Sequence, residues 1–196
     1  MPNATLIIGH PNPASFSHAM AQAASEVLID AGYALALHDL YAEHFDPVQP
    51  TGESQNIHSD DALIELHCAQ LKAADLILVF HPNWWSQPPA IVKGWIDRTF
   101  RLGTAYTYKE GSSYADVPVG LLRAKAALIF NTSNTPVLRE QQVFGDPLEN
   151  LWRTSVFGLC GVTNVHRLMF APVSTSGPEQ RSTWLEAVRM LVRREA

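Results

Sequence analysis

The loop at residues 9–17 combines two hydroxyl side chains with the start of a helix, a pattern suited to binding phosphate. Its sequence, GHPNPASFS, is stiffened by prolines and leaves free backbone N–H groups at the predicted helix N-terminus. The loop has neither the GxxxxGK pattern of ATP sites nor the GxGxxG pattern of dinucleotide sites. ATP and tightly held NAD are therefore disfavoured. The alternative is that Ser15 or Ser17 is a plain helix cap.

A second loop, residues 80–90 (FHPNWWSQPPA), carries two adjacent tryptophans between prolines. Successive side chains of an extended loop cannot both point into one core, and an indole ring is costly to leave in water. We therefore predict that Trp84 or Trp85 faces a planar aromatic ligand or a partner chain. The alternative is that both rings pad neighbouring helices.

A third loop, residues 131–136 (NTSNTP), offers amides and hydroxyls but no carboxylate. Such groups suit the edge of a heteroaromatic ring, although the same residues also form ordinary turns. Taken together, the three loops predict sites for a phosphate, a ring face and a ring edge.

Five short apolar segments alternate with segments of helical period, which predicts an α/β fold with a parallel sheet. The predicted strands are residues 4–9, 33–38, 76–80, 126–130 and 165–170. The predicted helices are residues 15–31, 60–73, 89–100, 148–159 and 179–194, the first ended by Gly32. All three polar loops follow predicted strands, and in open parallel sheets ligands bind beyond those strand ends.

Composition and charge argue against a nucleic-acid-binding, secreted or membrane-spanning protein. The chain has 196 residues, 46% of them hydrophobic, and a net charge of -5, which predicts one globular domain spanning residues 1–196. It contains no basic cluster that would favour nucleic acid, no signal peptide pattern and no apolar run of the ~18 residues that a membrane span needs. Its two cysteines, Cys68 and Cys160, encode no disulfide framework, so a cytoplasmic location is expected.

Other residues suggest little chemistry. The eight histidines show no HExxH spacing, so we predict no metal site. Cys68 follows His67 in a predicted helix, where adjacent residues do not face each other, and is expected to be a small buried residue. The long connections at residues 39–59 and 103–123 are more typical of functional segments than of filler, with a surface excursion as the alternative for the second.

Most of the chain resembles the flavodoxin-like NAD(P)H:quinone oxidoreductases, the family of DT-diaphorase, smaller bacterial flavin reductases and potassium-efflux ancillary subunits. The resemblance covers residues 10–20, 39–41, 45–47, 74–76, 82, 85, 89–98 and 105–108, of which 89–98 (PAIVKGWIDR) is the most specific. It implies a flavodoxin-like three-layer sandwich whose five-stranded parallel sheet has the order 2-1-3-4-5. It also implies a noncovalent flavin and a homodimer with its active sites at the interface.

The resemblance assigns flavin contacts to all three loops. The phosphate and ribityl chain would meet His10, Ser15, Phe16 and Ser17; the ring face Pro82, Asn83, Trp84 and Trp85; the pyrimidine edge Asn131, Thr132, Ser133 and Asn134. Tyr106 and Tyr108 match residues that line the substrate pocket from the partner subunit.

The chain departs from the family after its fourth strand. Larger members continue into a glycine pair, a tyrosine and a histidine that handles a proton, whereas residues 134–146 contain neither Tyr nor His. We therefore expect backbone N–H groups, Asn131, Asn134 or Arg139 to stabilise the reduced flavin, and we assign no catalytic side chain.

The resemblance implies a ping-pong oxidoreductase. NAD(P)H would reduce the flavin and leave, and a quinone, azo or nitro compound would then be reduced at the same open face. FMN is expected rather than FAD, because the C-terminal extension of the larger FAD-binding members is missing. The alternative is a redox-sensing subunit of a transporter or other partner. A one-electron carrier ranks last, because flavodoxins are strongly acidic and a charge of -5 is modest.

Overall fold

The computed structural model describes residues 1–53, 58–112 and 115–196, and a five-stranded parallel sheet lies at its centre. The strands are β1 (Asn3–Ile8), β2 (Ala34–Asp39), β3 (Leu76–Pro82), β4 (Tyr106–Thr107), β5 (Val119–Gly120), β6 (Ala126–Thr132) and β7 (Val165–Phe170). The helices are α1 (Phe16–Asp30), α2 (Ala62–Ala73), α3 (Ala90–Thr99), α4 (Val137–Gln142), α5 (Pro147–Asn150) and α6 (Pro178–Glu195). A π-helical segment (Leu151–Gly158) continues directly from α5.

The sheet order is β2-β1-β3-β6-β7, with every neighbouring pair parallel. Counting only the strands of this sheet, the order is the predicted 2-1-3-4-5. The remaining strands, β4 and β5, form a small antiparallel ribbon inside the 103–123 connection. Strands of two residues leave no alternating pattern in a sequence, which explains why this ribbon was not predicted.

Alternate residues of the central strands enter two separate cores. Ile77 and Ile129 pack with residues of α2, α3 and the π-helical segment on one face. Leu78 and Phe130 pack with residues of α1 and α6 on the other. All seven residues of β3 and all seven of β6 are buried, as expected for strands covered on both faces. The predicted flavodoxin-like three-layer sandwich is confirmed.

The first helix begins and ends as predicted. Ser15 caps α1 at its N-terminus, its side chain accepting a hydrogen bond from the backbone N–H of His18. Gly32 follows the last turn with φ +80°, a conformation that costs glycine little. Gly9, at the end of β1, is close-packed: a Cβ atom there would overlap the side chain of Val92 in α3. The loop between β1 and α1 is thereby held against α3.

A buried arginine fastens the connection after β2. Arg98 donates hydrogen bonds to Glu53 Oε2 at 2.9 Å, to the carbonyl of Asp46 at 2.7 Å and to Asp61 Oδ2 at 3.3 Å. The hydrogen bond from Arg98 lowers the pKa of Glu53 from its ordinary value. Residues 54–57 of this connection, and residues 113–114 of the other long connection, lie outside the described residues. Among the helices that the structure describes, none is long and apolar enough to cross a membrane.

Candidate functional site

The loop between β1 and α1 presents polar groups at the carboxyl end of the sheet. His10 Nδ1 accepts a hydrogen bond from the backbone N–H of Asn12 at 3.0 Å, so the other ring nitrogen carries the proton when the ring is neutral. Burial lowers the pKa of His10, and the neighbouring His18 acts in the same direction. Ser17 Oγ is buried and has no hydrogen-bond partner in the described part of the chain. The loop therefore offers donors to a ligand.

Three side chains form a hydrogen-bonded relay beside this loop. Ser15 Oγ lies 2.8 Å from His18 Nδ1, and His18 Nε2 lies 2.9 Å from Asp39 Oδ2. Asp39, the last residue of β2, also accepts hydrogen bonds from the backbone N–H groups of Tyr41 and Ala42. The order serine, histidine, aspartate resembles that of a hydrolytic triad, but here the serine oxygen also caps a helix.

The loop after β3 ends in a tight turn whose two central residues lie in the left-handed region. Trp84 and Gln87 exchange backbone hydrogen bonds at 2.9 and 3.1 Å, and between them Trp85 and Ser86 have φ of +57° and +56°. That conformation costs a non-glycine residue about 1–3 kcal/mol and is concentrated at functional sites. The side chain of Trp85 is 99% exposed. The alternative in which both tryptophans pad helices is therefore wrong for Trp85.

A buried carboxylate accepts hydrogen bonds from two residues of this loop. Glu140, on α4, is buried; its Oε1 accepts from Asn83 Nδ2 and its Oε2 from Ser86 Oγ, both at 2.9 Å. Because a carboxylate only accepts, the Asn83 amide must turn its NH₂ group towards Glu140. Its Oδ1 is left buried without a partner among the described residues. The sequence indicated neither α4 nor this role, since Glu140 looks like any polar loop residue.

The end of β6 is oriented by a second charged residue. Arg167, on β7, donates to Asn131 Oδ1 at 2.9 Å and also to Glu149 and Asp146. Because guanidinium only donates, Asn131 must present its carbonyl to Arg167. Its Nδ2 is buried and has no partner in the ranges that the structure describes. Thr132 and Ser133 are also buried, while Asn134 is exposed and accepts from the backbone N–H of Ser174.

The loop after β3 and the segment from the end of β6 to α5 line an open cleft of about 560 Å³. Its lining residues are Asn83, Trp85, Ser86, Thr135, Glu140, Phe144 and Pro147. The size and the mixed lining are those of a small-molecule site. Arg139, predicted to assist there, is exposed on α4 and is not part of the lining.

The two predicted substrate-pocket tyrosines lie elsewhere in the single chain. Tyr106 and Tyr108 contact each other edge to face, with ring centroids 6.0 Å apart. They line a groove of about 440 Å³ together with residues of α3 and the π-helical segment. Neither residue lines the cleft, so their contribution from a partner subunit stays a prediction.

Two buried histidines accept hydrogen bonds from tryptophans. Trp152 Nε1 donates to His81 Nε2 at 3.1 Å, and His81 Nδ1 lies 2.8 Å from the carbonyl of Pro82. Trp95 Nε1 donates likewise to His67 Nδ1 at 3.1 Å. Burial lowers the pKa of His81 to about 4 and that of His67 to about 3.

His67 belongs to a cluster that the sequence did not reveal, because its members are distant in the chain. Ligand atoms of His38, Glu43 and His67 lie within 4.8 Å of one another. The hydrogen bond from Trp95 leaves the ring proton on His67 Nε2, which faces Glu43 Oε2 at 3.2 Å. That nitrogen then has no lone pair to give a metal ion, and the cluster is a structural link between β2, α2 and α3.

The sheet order and the ligand cleft at the carboxyl ends of its strands define a flavodoxin-like α/β protein. A family model described as "Flavodoxin-like fold" matches residues 2–192, and the chain belongs to that family. An uncharacterized NAD(P)H oxidoreductase of Haemophilus influenzae is 30% identical over 190 residues, covering 94% of this chain and 91% of that protein.

Two further relatives extend the comparison. NAD(P)H dehydrogenase (quinone) 1 of Rattus norvegicus is 28% identical over 205 residues, covering 93% of this chain and 73% of that protein. The crystal structure of an FMN-dependent NADH-azoreductase from Bacillus anthracis in complex with FMN has a TM-score of 0.78 to this chain. At 15% identity over 99% of both chains, that similarity is one of fold.

The site fits a flavin on its own geometry. Three of the buried side-chain atoms without partners in the described structure belong to these segments: Ser17 Oγ at the start of α1, Asn83 Oδ1 just after β3 and Asn131 Nδ2 in β6. The remaining two belong to Arg101, after α3. The first three are a hydroxyl near a helix N-terminus, an acceptor and a donor. A phosphorylated ligand with a heteroaromatic ring edge would use all three kinds of atom.

Proposed function

We propose that the chain is a flavin-dependent NAD(P)H oxidoreductase that reduces quinones or other small electron acceptors. The observation that supports this most strongly is the set of unpartnered buried atoms on Ser17, Asn83 and Asn131. An unsatisfied buried polar group costs about 1–3 kcal/mol, so three of them around one end of a sheet favour a ligand that completes their hydrogen bonds. The names of the relatives support the reaction class and give no support to a regulatory subunit.

The ring edge would be oriented by two amides that charged residues hold in place. Asn83 Oδ1 and Asn131 Nδ2 have no partner among the described residues. In the proposed complex the first would accept from an N–H group and the second would donate to a carbonyl. Glu140 and Arg167 prevent either amide from turning over, because each can form only one kind of hydrogen bond. Fixed donors and acceptors of this kind stabilise developing charge without reorganisation.

Trp85 would cover the aromatic ring of a ligand in the cleft. Its exposed side chain is part of the cleft lining, and stacked aromatic rings gain about 0.5–1.5 kcal/mol beyond the area they bury. A bound flavin supplies the hydride chemistry, and the chain supplies binding, orientation and exclusion of water. The phosphate end would lie at Ser15, Phe16 and Ser17, with His10 as a further donor.

The finer identity of the cofactor and the assembly are part of the same proposal. We infer FMN rather than FAD, in keeping with the FMN named in the azoreductase structure. We infer a homodimer in which Tyr106 and Tyr108 complete the substrate pocket of the partner subunit. Both cysteines are free and buried, which is in keeping with a reducing cytoplasm.

The test is an anaerobic half-reaction. The purified protein is loaded with FMN, freed of excess cofactor and mixed with NADPH or NADH while the flavin absorbance is followed. We expect rapid bleaching, recovery of the absorbance on adding a quinone, and parallel initial-rate lines for the full reaction. Protein that binds no flavin, or holds a flavin that neither nucleotide bleaches, would refute the proposal. Mass spectrometry of flavin retained from an equimolar FMN and FAD mixture tests the choice of cofactor.

A further inference from the structure

The first loop presents an unusual set of charges for a phosphate site. Residues 9–19 contain no lysine and no arginine, and the basic side chains there are the imidazoles of His10 and His18. Their ring centroids lie 6.5 Å apart. A phosphate monoester carries a charge of about -1.5 to -2 at neutral pH. Any positive charge that this loop contributes must therefore come from a protonated histidine.

The hydrogen bonds of His18 determine which form of Ser15 a ligand meets. Asp39 Oδ2 is an acceptor, so the proton of a neutral His18 lies on Nε2 and its Nδ1 accepts. Ser15 must then donate its hydroxyl hydrogen to Nδ1, at 2.8 Å. In that state the Ser15 hydroxyl has no hydrogen left for a phosphate oxygen.

Protonation of His18 reverses this arrangement. Both ring nitrogens then donate, one to Asp39 and the other to Ser15 Oγ, and the serine hydrogen is released towards the loop. One proton thus adds a positive charge and one further donor at the place where the phosphate is expected. A bound phosphate favours the charged ring, so binding of the phosphate should be coupled to the uptake of a proton.

The titratable and charged groups near His18 and the start of α1 come from several elements. Asp39 approaches it from β2 and His10 from the loop after β1. Arg181, on α6, lies over the ring of Phe16 at 5.9 Å and donates to Ser176 Oγ and to the carbonyl of Val173. Arg181 keeps its charge at all accessible pH values, so it adds no pH dependence of its own.

We propose that His18 is a positioning residue that couples flavin phosphate binding to the uptake of one proton through the Ser15–His18–Asp39 relay. This inference rests on the proposed function. The affinity for FMN falls as pH rises, by up to about tenfold per pH unit while one proton is taken up. The affinity for riboflavin, which lacks the phosphate, does not depend on this proton.

The test compares the two flavins on the apoprotein by fluorescence quenching between pH 7 and 9. The phosphate stays a dianion in this window, since its second pKa is about 6. We expect the Kd of FMN to rise with pH and that of riboflavin to stay constant. His18→Gln should abolish the FMN slope, and Asp39→Asn should weaken it. His58→Gln is the matched control. The His58 side chain is 79% exposed and lies in the connection after β2, outside the loop that precedes α1.

Calorimetry supplies a readout independent of activity. FMN binding measured at pH 7.5 in buffers of different ionisation enthalpy gives the number of protons taken up. We expect a positive fraction of one proton for the unchanged chain and the His58→Gln variant, and none for His18→Gln.

The outcomes separate the two proposals. If FMN binds with the same pH profile as riboflavin, or if the slope survives His18→Gln, the inference about His18 is overturned while the proposed function stands. If neither flavin binds at any pH, both are overturned.

Discussion

Oε1 of Glu140 lies 2.9 Å from Nδ2 of Asn83, and this hydrogen bond joins a helix after β6 to the loop after β3. The other oxygen of the same carboxylate holds Ser86, one of the two residues with positive φ in the tryptophan turn. Glu140 therefore fixes both the direction of an amide in the cleft and the conformation of the turn beside it. Glu140 does not replace the proton-handling tyrosine or histidine that larger family members carry after this strand. Its role is to position other groups.

Replacing Glu140 with alanine should weaken flavin binding. The change removes two hydrogen bonds to a charged acceptor, each worth about 1.5–3 kcal/mol, and frees the Asn83 amide to turn over. We expect the Kd for flavin to rise about 10- to 100-fold, as measured by fluorescence quenching. Gln141→Ala is the control, because Gln141 is an exposed neighbour on the same short helix. Equal flavin affinities in the two variants would contradict the role given to Glu140.

Replacing Trp85 should lower the affinity for flavin and leave the free energy of unfolding nearly unchanged. Its side chain is 99% exposed, so Trp85→Ala is expected to change the free energy of unfolding by less than about 0.5 kcal/mol. Loss of the stacking surface should weaken flavin binding by roughly tenfold. Urea unfolding and flavin titration of the same preparation measure the two effects.

The comparison with Trp152→Phe sharpens this prediction. Trp152 is fully buried and donates to His81, so its loss should lower stability by a kcal/mol or more, at about the level of a lost buried hydrogen bond. A Trp85→Ala variant that unfolds as easily as Trp152→Phe would mean that Trp85 packs against the protein in solution.

Ser17→Ala should weaken phosphate binding without lowering the stability of the apoprotein. Ser17 Oγ is buried without a partner in the described residues, so removing it should leave the apoprotein unchanged or stabilise it by about 1 kcal/mol. The same change should weaken FMN binding several-fold and leave riboflavin binding unaffected. The matched variant is Ser25→Ala in the same helix, whose hydroxyl donates to the carbonyl of Ala21. If Ser17→Ala weakens both flavins equally, Ser17 does not contact the phosphate.

The elements that could be predicted from the sequence are those whose signal is local. The strands β3 and β6 are apolar throughout because both faces are buried, and Ser15 and Gly32 mark the ends of α1 by their own conformational preferences. The exposure of one tryptophan in the loop after β3 could also be predicted locally, because two adjacent indole rings cannot both point into one core. Sheet order and cofactor class came from the resemblance and not from the pattern.

What the sequence did not predict depends on residues that meet only in the fold. Glu140 reaches Asn83 across 57 positions, and Arg167 reaches Asn131 across 36, so neither pair has a recognisable spacing. The rings of His38 and His67 are in contact, with centroids 3.8 Å apart, although the residues belong to β2 and α2. The π-helical segment was predicted as part of an ordinary helix, because its apolar residues keep a helical period.

The buried histidine His81 should make the fold sensitive to mild acid. Its pKa is about 4 in the folded protein and about 6.5 in an unfolded chain, so below pH 6.5 the unfolded state binds more protons. The contribution of the neutral His81 to the free energy of unfolding is therefore fully present above pH 6.5. It is lost as the pH falls towards 4, which lowers the free energy of unfolding by about 3 kcal/mol for this one group. His67 acts in the same direction. Urea unfolding at pH 7.5, 5.5 and 4.5 measures the loss, and His81→Asn, although less stable at pH 7.5, should show a flatter decline. An equally steep decline in that variant would place the acid sensitivity elsewhere.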